Sequence, residues 1–524
     1  MRDVNILANR ILDWVEKKPN LDVLTFVTID QDGNFVDEVR TYQQLWDNAQ
    51  RWAAWLKAKG MQKGDAFAMI MANHPEFVEL MVASSILGTV FVPIDPRTKG
   101  EKLHYMVNFA KCKGIVVADY ALAQVEAANK DGDDLWTVTL GVVSGDYTRA
   151  ENILAETAPT PALAVASTDP RATMQILYTS GTTGDPKAIL SSYSRYASSA
   201  ILGDVLGLTA EDRPYTGLSL THVNAQVITL GVTLTHGLRG VISRKFTKSR
   251  LWDLTREYGC TWFNLLGGMT TAIYAEAPKA NDADNPVRII LSAGMPAAIW
   301  EDFSNRFDVK LNEFYGAAEG GITFNPAGVG PVGSCGQSSP TMEMKIFDEQ
   351  DQECETGEVG EICFRNVDGS SQDVKYFRNK EATEKKTQGG WLRMGDMGHV
   401  DKDGWLFFHY RKGGAIRRNG DFIDPGFVEN ALAQVDCIDD VFVYGVPAAS
   451  GAPGEKDVVA AIVVTEPFEA GQIFAVAREK LEANFVPSYL QVVSEIPKTA
   501  SEKPQERVLL ETFSVDADNV CLAV

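Results

Sequence analysis

Between Ala66 and Ala118, short apolar runs alternate with stretches of helical period, and that alternation leaves few folds open to the chain. The runs Ala66–Ala72, Val90–Ile94 and Gly114–Ala118 show no polar alternation, so they read as strands covered on both faces. Helices are expected between them, one after Pro75 and one from Lys99. Strands separated by helices pair in parallel through βαβ units. Upstream, Gln43–Lys59 places Leu45, Ala49, Trp52, Ala53 and Leu56 at helical spacing, with Gly60 positioned to end the helix. That stripe is core.

A further run, Met174–Tyr178, breaks into TSGTTGDPK and resumes as Ala188–Leu190. The loop carries hydroxyls at Thr179, Ser180, Thr182 and Thr183, glycines at 181 and 184, and the charge of Lys187. Its backbone N–H groups can turn inward beside side-chain donors, as a polyphosphate grip requires. By composition an ordinary surface turn is an equal reading. It is not a Walker A loop, because G-x-x-x-x-G-K-[ST] is absent and a strand, not a helix, follows Lys187.

The 524 residues exceed one typical core, so at least two domains are expected. A net charge of −21 disfavours nucleic acid and anionic membranes as partners, and any anion site must gather its Lys and Arg locally. Seven scattered cysteines without C-x-x-C point to reduced thiols in a cytoplasm and no zinc. No signal-peptide core is visible at the N-terminus, and the longest apolar stretch, Leu80–Ile94, is too short to span a bilayer. Ala158–Pro170 reads as a linker, Tyr193–Phe314 as a second α/β layer, and Gly330–Arg365 as strands and turns. After Tyr410 a helix (Phe427–Val435), two strands (Val441–Val446, Val458–Val464) and another helix (Gln472–Asn484) suggest a small α+β domain.

YTSGTTGDPKAI closely resembles the signature loop of the adenylate-forming superfamily, which includes acyl-CoA synthetases, peptide-synthetase adenylation domains and luciferases; Ala188 stands where Gly is usual. The resemblance runs from about Thr41 to Leu510, with motifs in the family's order and a texture nearest the carnitine–CoA ligase-like branch. It implies a large N-terminal body of α/β layers with a small β-rich subdomain (1–410) and a small mobile α+β C-terminal domain (411–524). It assigns the ATP phosphates to Thr179–Gly184 and Lys187. NEFYGAAEGG resembles Y-G-x-T-E, which puts Tyr315 and Gly316 at adenine, Glu319 on Mg²⁺ and Glu313 near the adenine amino group, with Ala318 for Thr. SAGMP resembles G-G-A-P and brings Gly294 to the adenine site. WLRMGDMG resembles W-x-x-T-G-D-x-G, giving Asp396 to the ribose with Arg411 as its second contact and Met394 for Thr.

LSLTHVNAQ resembles the motif whose aromatic ring gates the acyl pocket, here His222; a core or capping histidine is the plain alternative. PKTASEKPQ resembles P-K-T-x-S-G-K-I, whose last lysine, here Lys503, meets the acyl carboxylate and α-phosphate during adenylation. Glu502 replaces the glycine and Pro504 the isoleucine. Lys412 and Gly413 stand at the hinge, while Arg417 and Gly420 parallel the segment that meets pantetheine. Nearness to motifs places Thr221, Val223, Phe263, Asn264, Gly316, Gly321 and Ile322 around the acyl pocket, with Gly267 and Gly268 reshaping its wall. The resemblance implies an ATP-dependent carboxylate–CoA ligase that uses ATP, Mg²⁺ and coenzyme A, catalysed by Lys503, Glu319 and His222. Two alternatives stay open: an enzyme loading a carrier protein, and a degenerate nucleotide-binding protein. A homodimer is compatible with the sequence, and the acid is not legible in it.

Overall fold

The computed structural model describes residues 2–129, 135–156, 158–179, 186–198, 201–412, 416–418, 421–423, 425–449, 456–465, 467–499 and 502–523; at 179, 268, 417, 421 and 422 it describes the backbone alone. The chain forms two compact units, Met1–Asn264 with Lys375–Lys380 and Leu265–Val374 with Glu381–Val524.

The first unit is built on the expected alternation. Ala66–Ile70 and Val90–Ile94 are buried at every position and pair in parallel, because helices cover both faces. The strand stops at Ile70, short of Ala72, where the Tyr120 hydroxyl takes the Ala72 N–H at 2.7 Å. Pro75 starts the helix Pro75–Leu87 with φ already suited to it, and Gly88 at φ 73° ends it. Thr41 and Gln44 form a reciprocal capping box on the helix Tyr42–Ala58. The sheet runs Thr148–Arg149, Trp136–Leu140, Cys112–Ala118, Ala66–Ile70, Val90–Ile94, Thr173–Thr179, Lys187–Ser192, parallel throughout except for its last pair. A second sheet places Asp22–Ile29 parallel to Gly240–Ser243, which is parallel to Pro214–Thr216, itself parallel to Trp262–Leu266.

In the second unit Ile289–Ala293 lies parallel to Lys310–Ala317, which turns back as Gly320–Asn325. An antiparallel meander follows: Met342–Phe347, Gly360–Asn366, Leu392–Val400, Leu406–Arg411. The last sheet is Ile438–Pro447, Lys456–Val464, Tyr489–Val492 and Val520–Leu522. Its apolar face packs on the helices Pro425–Leu432 and Ala470–Lys480 through Val428, Leu432, Ile473 and Phe474. Among the described residues, no helix is long and apolar enough to cross a membrane.

The reading of Ala158–Pro170 as a linker needs correcting, since it joins no separate bodies. The segment is a strap held on the first unit. Gln50 donates to the Leu163 carbonyl at 3.2 Å and accepts from the Leu163 N–H at 2.8 Å. Ala166 N–H donates to Ile86 O at 2.7 Å, and Ser167 Oγ to Ser85 O at 2.9 Å. Composition reports that such a segment avoids helix, not that it is loose. Gln50→Ala removes both bonds to Leu163 and is expected to lower stability by about 1–2 kcal/mol. Limited proteolysis should then cut first within 158–166, at a site the wild type protects.

Candidate active site

In the first unit, Thr173–Thr179 delivers the chain to the Gly/Ser/Thr loop and Lys187 opens the returning antiparallel strand. Ser180, Gly181, Thr182, Thr183 and Gly184 lie outside the described residues, as does the side chain of Thr179. Lys187 is exposed, with Nζ 5.5 Å from the Tyr376 ring centre. Ala188 points the other way and is buried in the core beside Ile176, so its methyl packs where a glycine would leave a gap.

His222 is half-buried, and its carbonyl accepts the Gln226 N–H at 3.0 Å as a π-helix, Asn224–Leu230, begins. That rare helix sends two side chains to neighbouring strands. Gln226 accepts from Gln175 Nε2 at 2.6 Å, tying it to the strand that feeds the loop. Thr229 donates to Asn264 Oδ1 at 2.5 Å. Val223 is half-buried and Thr221 buried. Phe263 and Asn264 have different surroundings. They are successive residues of one strand and face opposite ways. Phe263 packs edge-on against Tyr215 and Trp252, with ring centres 6.2 and 5.8 Å away, whereas Asn264 faces the π-helix.

In the second unit the Ser292–Pro296 turn is braced from beneath. Glu313, the cross-strand partner of Ser292, accepts from Gly294 N–H and, at 3.3 Å, from Met295 N–H. Gly294 sits at φ +97°, and a side chain on Gly267 would meet its carbonyl at 2.8 Å, so backbone approaches backbone here. Glu313 is buried, and burial pushes its pKa up to about 8 against the pull of the two amides. Its oxygens are engaged by the turn, which makes it a brace.

Tyr315 donates to Asp396 Oδ2 at 2.6 Å, with its ring beside Phe364 and Phe408 at 6.4 and 6.3 Å. Burial and that carboxylate raise the phenol well above its usual value. Asp396 and Arg411 are cross-strand partners, and Arg411 Nε lies 3.4 Å from Asp396 Oδ1. Gly316 is exposed and Ile322 is 36% exposed, whereas Gly321, at φ +68°, is closed over by Phe364 and Met394. Met394 therefore fills core where a threonine was the expected residue.

Glu319 is buried. Lys503 keeps solvent access yet is crowded by protein; crowding first, then Arg411 and Lys386, pull its pKa below the ordinary value, while Asp396 and Glu319 oppose them. Its hairpin is closed by Thr499 N–H on Lys503 O at 2.7 Å, and Glu502 occupies the left-handed region at φ +57°. That is why a glycine suits position 502. Lys412 is tied to Glu361 at 3.0 Å. Gly413 and Gly420 lie outside the described residues, as does the Arg417 side chain.

Sequence reasoning missed Lys386 and Glu361. Lys386 ends the helix Lys380–Lys386 and donates to Met394 O at 3.1 Å, within electrostatic reach of Glu319, Asp396, Arg411 and Lys503. Glu361 holds Lys412 and accepts from Gly395 N–H at 3.2 Å. Neither stands in a motif.

Residues 12–369 match the family of AMP-binding enzymes, and residues 428–503 match the AMP-binding enzyme C-terminal domain. The medium/long-chain-fatty-acid–CoA ligase of Mycobacterium marinum is 28% identical over 452 residues, 84% of this chain and 85% of that one. The crotonobetaine/carnitine–CoA ligase of Escherichia coli is 26% identical over 481 residues, 88% of this chain and 91% of that one. The fold superposes on an anthranilate CoA ligase bound to anthranoyl-AMP with a TM-score of 0.85 at 22% identity, covering 96% of each chain.

Glu313 yields a prediction in pH. Its folded pKa of about 8 exceeds the unfolded carboxyl value, so the folded state holds a proton that the unfolded state releases. The stability this contributes is full below about pH 4.5 and is lost as pH rises to about 8. Glu313→Gln keeps the acceptor and removes the titration. Melting curves from pH 5 to 8 should fall for the wild type and flatten for the variant.

Proposed function

Since this chain belongs to the family of AMP-binding enzymes, we propose that it is an ATP-dependent carboxylate–CoA ligase, working in the cytoplasm with all seven cysteines as free thiols. The acid's carboxylate attacks the α-phosphate of ATP, forming acyl-AMP and releasing pyrophosphate. The CoA thiol, losing its proton, then attacks the acyl carbon and expels AMP. Dividing the condensation gives each half a good leaving group. The observation that carries this reading is convergence: Glu319, Asp396, Arg411 and Lys503, spread over four stretches of sequence, interact electrostatically within one unit.

Asp396 accepts from the ribose hydroxyls with Arg411 beside it, and Tyr315 sets the carboxylate's orientation and faces adenine. Gly294 and Gly316 border the base, with Glu313 bracing the turn. Lys503 supplies positive charge to the crowded phosphorus of the first step, an electrostatic task for which a compact ammonium is suited. His222 gates the acyl side, and Val223, Asn264, Gly321 and Ile322 belong to the acyl pocket. Lys412 and Gly413 form the hinge on which the domain from 411 onward turns, and Arg417 and Gly420 meet pantetheine after the turn.

Mg²⁺ fits the residues present. Among the described residues no cluster of three or more His, Cys, Asp or Glu could hold a metal alone. Glu319 is a single buried carboxylate, and one or two carboxylates plus substrate phosphates is the usual Mg²⁺ arrangement. Held by Glu319, the ion would neutralise charge on the phosphates.

The test separates the half-reactions. Pyrophosphate exchange over short, aromatic, betaine-like, fatty and steroidal acids finds the substrate; CoA consumption from synthetic acyl-AMP measures the second step. Lys503→Ala should slow exchange by roughly 100-fold or more and leave thioester formation nearly intact. Equal slowing of both, or of neither, removes Lys503 from adenylation. No exchange with any acid overturns the ligase reading in favour of a non-catalytic nucleotide binder, and thioester formation only on a carrier protein overturns the CoA assignment.

A further inference from the structure

The cluster in the second unit is not charge-balanced. Lys386, Arg411 and Lys503 are three cations that interact with the carboxylates of Glu319 and Asp396, an excess of one positive charge. A third carboxylate within reach of Lys386, Glu361, is already engaged by Lys412 at 3.0 Å, Arg393 at 3.4 Å and the Gly395 N–H at 3.2 Å. Remove Lys386, and Arg411 and Lys503 merely neutralise Glu319 and Asp396. In a chain of net charge −21, a local surplus of positive charge marks a place prepared for an anion.

Lys386 is positioned to supply it. Its side chain is half-buried, and its ammonium is anchored on Met394 O at 3.1 Å, two residues before Asp396. That bond uses one of three N–H donors and leaves two for a ligand. Burial pulls its pKa down while Glu319 and Asp396 hold it up, the pattern of a cation kept at some desolvation cost. Beside Glu319, Ala318 offers a methyl and no side-chain donor. The helix Lys380–Lys386 precedes the Asp396 strand, far in sequence from the Lys503 hairpin.

We propose that Lys386 binds the α-phosphate of the nucleotide, in ATP, acyl-AMP and AMP alike, as a second ammonium fixed independently of Lys503. This rests on the ligase reading of the site. Lys503 acts on the reacting phosphorus of one step; Lys386 holds the phosphate that all three nucleotide states share. Uniform binding of that kind moves affinity and KM and leaves kcat alone.

The probe is AMP, titrated calorimetrically into the full-length protein, with the KM for ATP read from pyrophosphate exchange. Lys386→Met should weaken AMP binding about tenfold and raise the KM for ATP similarly, with kcat changed less than about twofold. Lys386→Arg should restore most of the affinity, because the charge and donors return. In a Lys503→Ala background, Lys386→Met should still cost about tenfold in AMP affinity. An AMP affinity unchanged in Lys386→Met overturns the proposal. So does a loss that Lys386→Arg fails to rescue while the melting temperature drops in both variants, which would make Lys386 a packing residue. A wild type that binds neither AMP nor ATP overturns the ligase reading itself, whatever the variants do.

Discussion

A buried carboxylate must be answered by donors, and in this chain Asp396 is the one around which the second unit arranges its chemistry. Asp396 is 8% exposed, and isolated burial of its charge would cost several kcal/mol. Two donors meet it from different directions. The Tyr315 hydroxyl comes from the strand Lys310–Ala317, and Arg411 from the neighbouring strand of Asp396's own sheet. The sheet register alone brings Arg411 opposite Asp396. Tyr315 is the member that links two sheets, so the carboxylate fastens them at one point.

From that point the other parts follow. The strand carrying Tyr315 also carries Glu313, which braces the Ser292–Pro296 turn, and it ends at the bend that presents Glu319. The strand carrying Asp396 also carries Met394, whose carbonyl anchors Lys386 and whose side chain closes the core against Gly321. In the first unit a comparable job falls to neutral groups. Gln175, Gln226, Thr229 and Asn264 join the loop-bearing strand, the His222 segment and the strand Trp262–Leu266 without any charge. Such amides and hydroxyls fix geometry without adding charge.

How much of this was legible in the sequence depended on whether a residue's role is local. Ala66–Ile70, Val90–Ile94 and Thr173–Thr179 were readable because strands buried on both faces have no polar alternation. Tyr315, Glu319, Asp396, Arg411 and Lys503 stood in recognisable spacings. Lys386 was not readable: EATEKK on a short helix is what a solvated surface helix looks like, and only tertiary structure turns its last lysine inward. The Ala158–Pro170 strap misled for the converse reason, since the Gln50 amide that holds it lies over a hundred residues upstream. Phe263 and Asn264 are neighbours in sequence, but pleating sends them to opposite faces of one strand. The fitness of glycine for position 502 became clear only once the left-handed φ there was known.

A double-mutant cycle measures directly whether the Tyr315–Asp396 contact organises a nucleotide site. AMP affinity is determined for the wild type, Tyr315→Phe, Asp396→Asn and the double variant. If the hydroxyl orients the carboxylate that holds the ribose, the two changes share one interaction, and a coupling of about 1–2 kcal/mol is predicted. Losses that simply add, with coupling under about 0.5 kcal/mol, would mean the two residues act on the nucleotide separately or not at all. Either outcome contradicts a site built around Asp396.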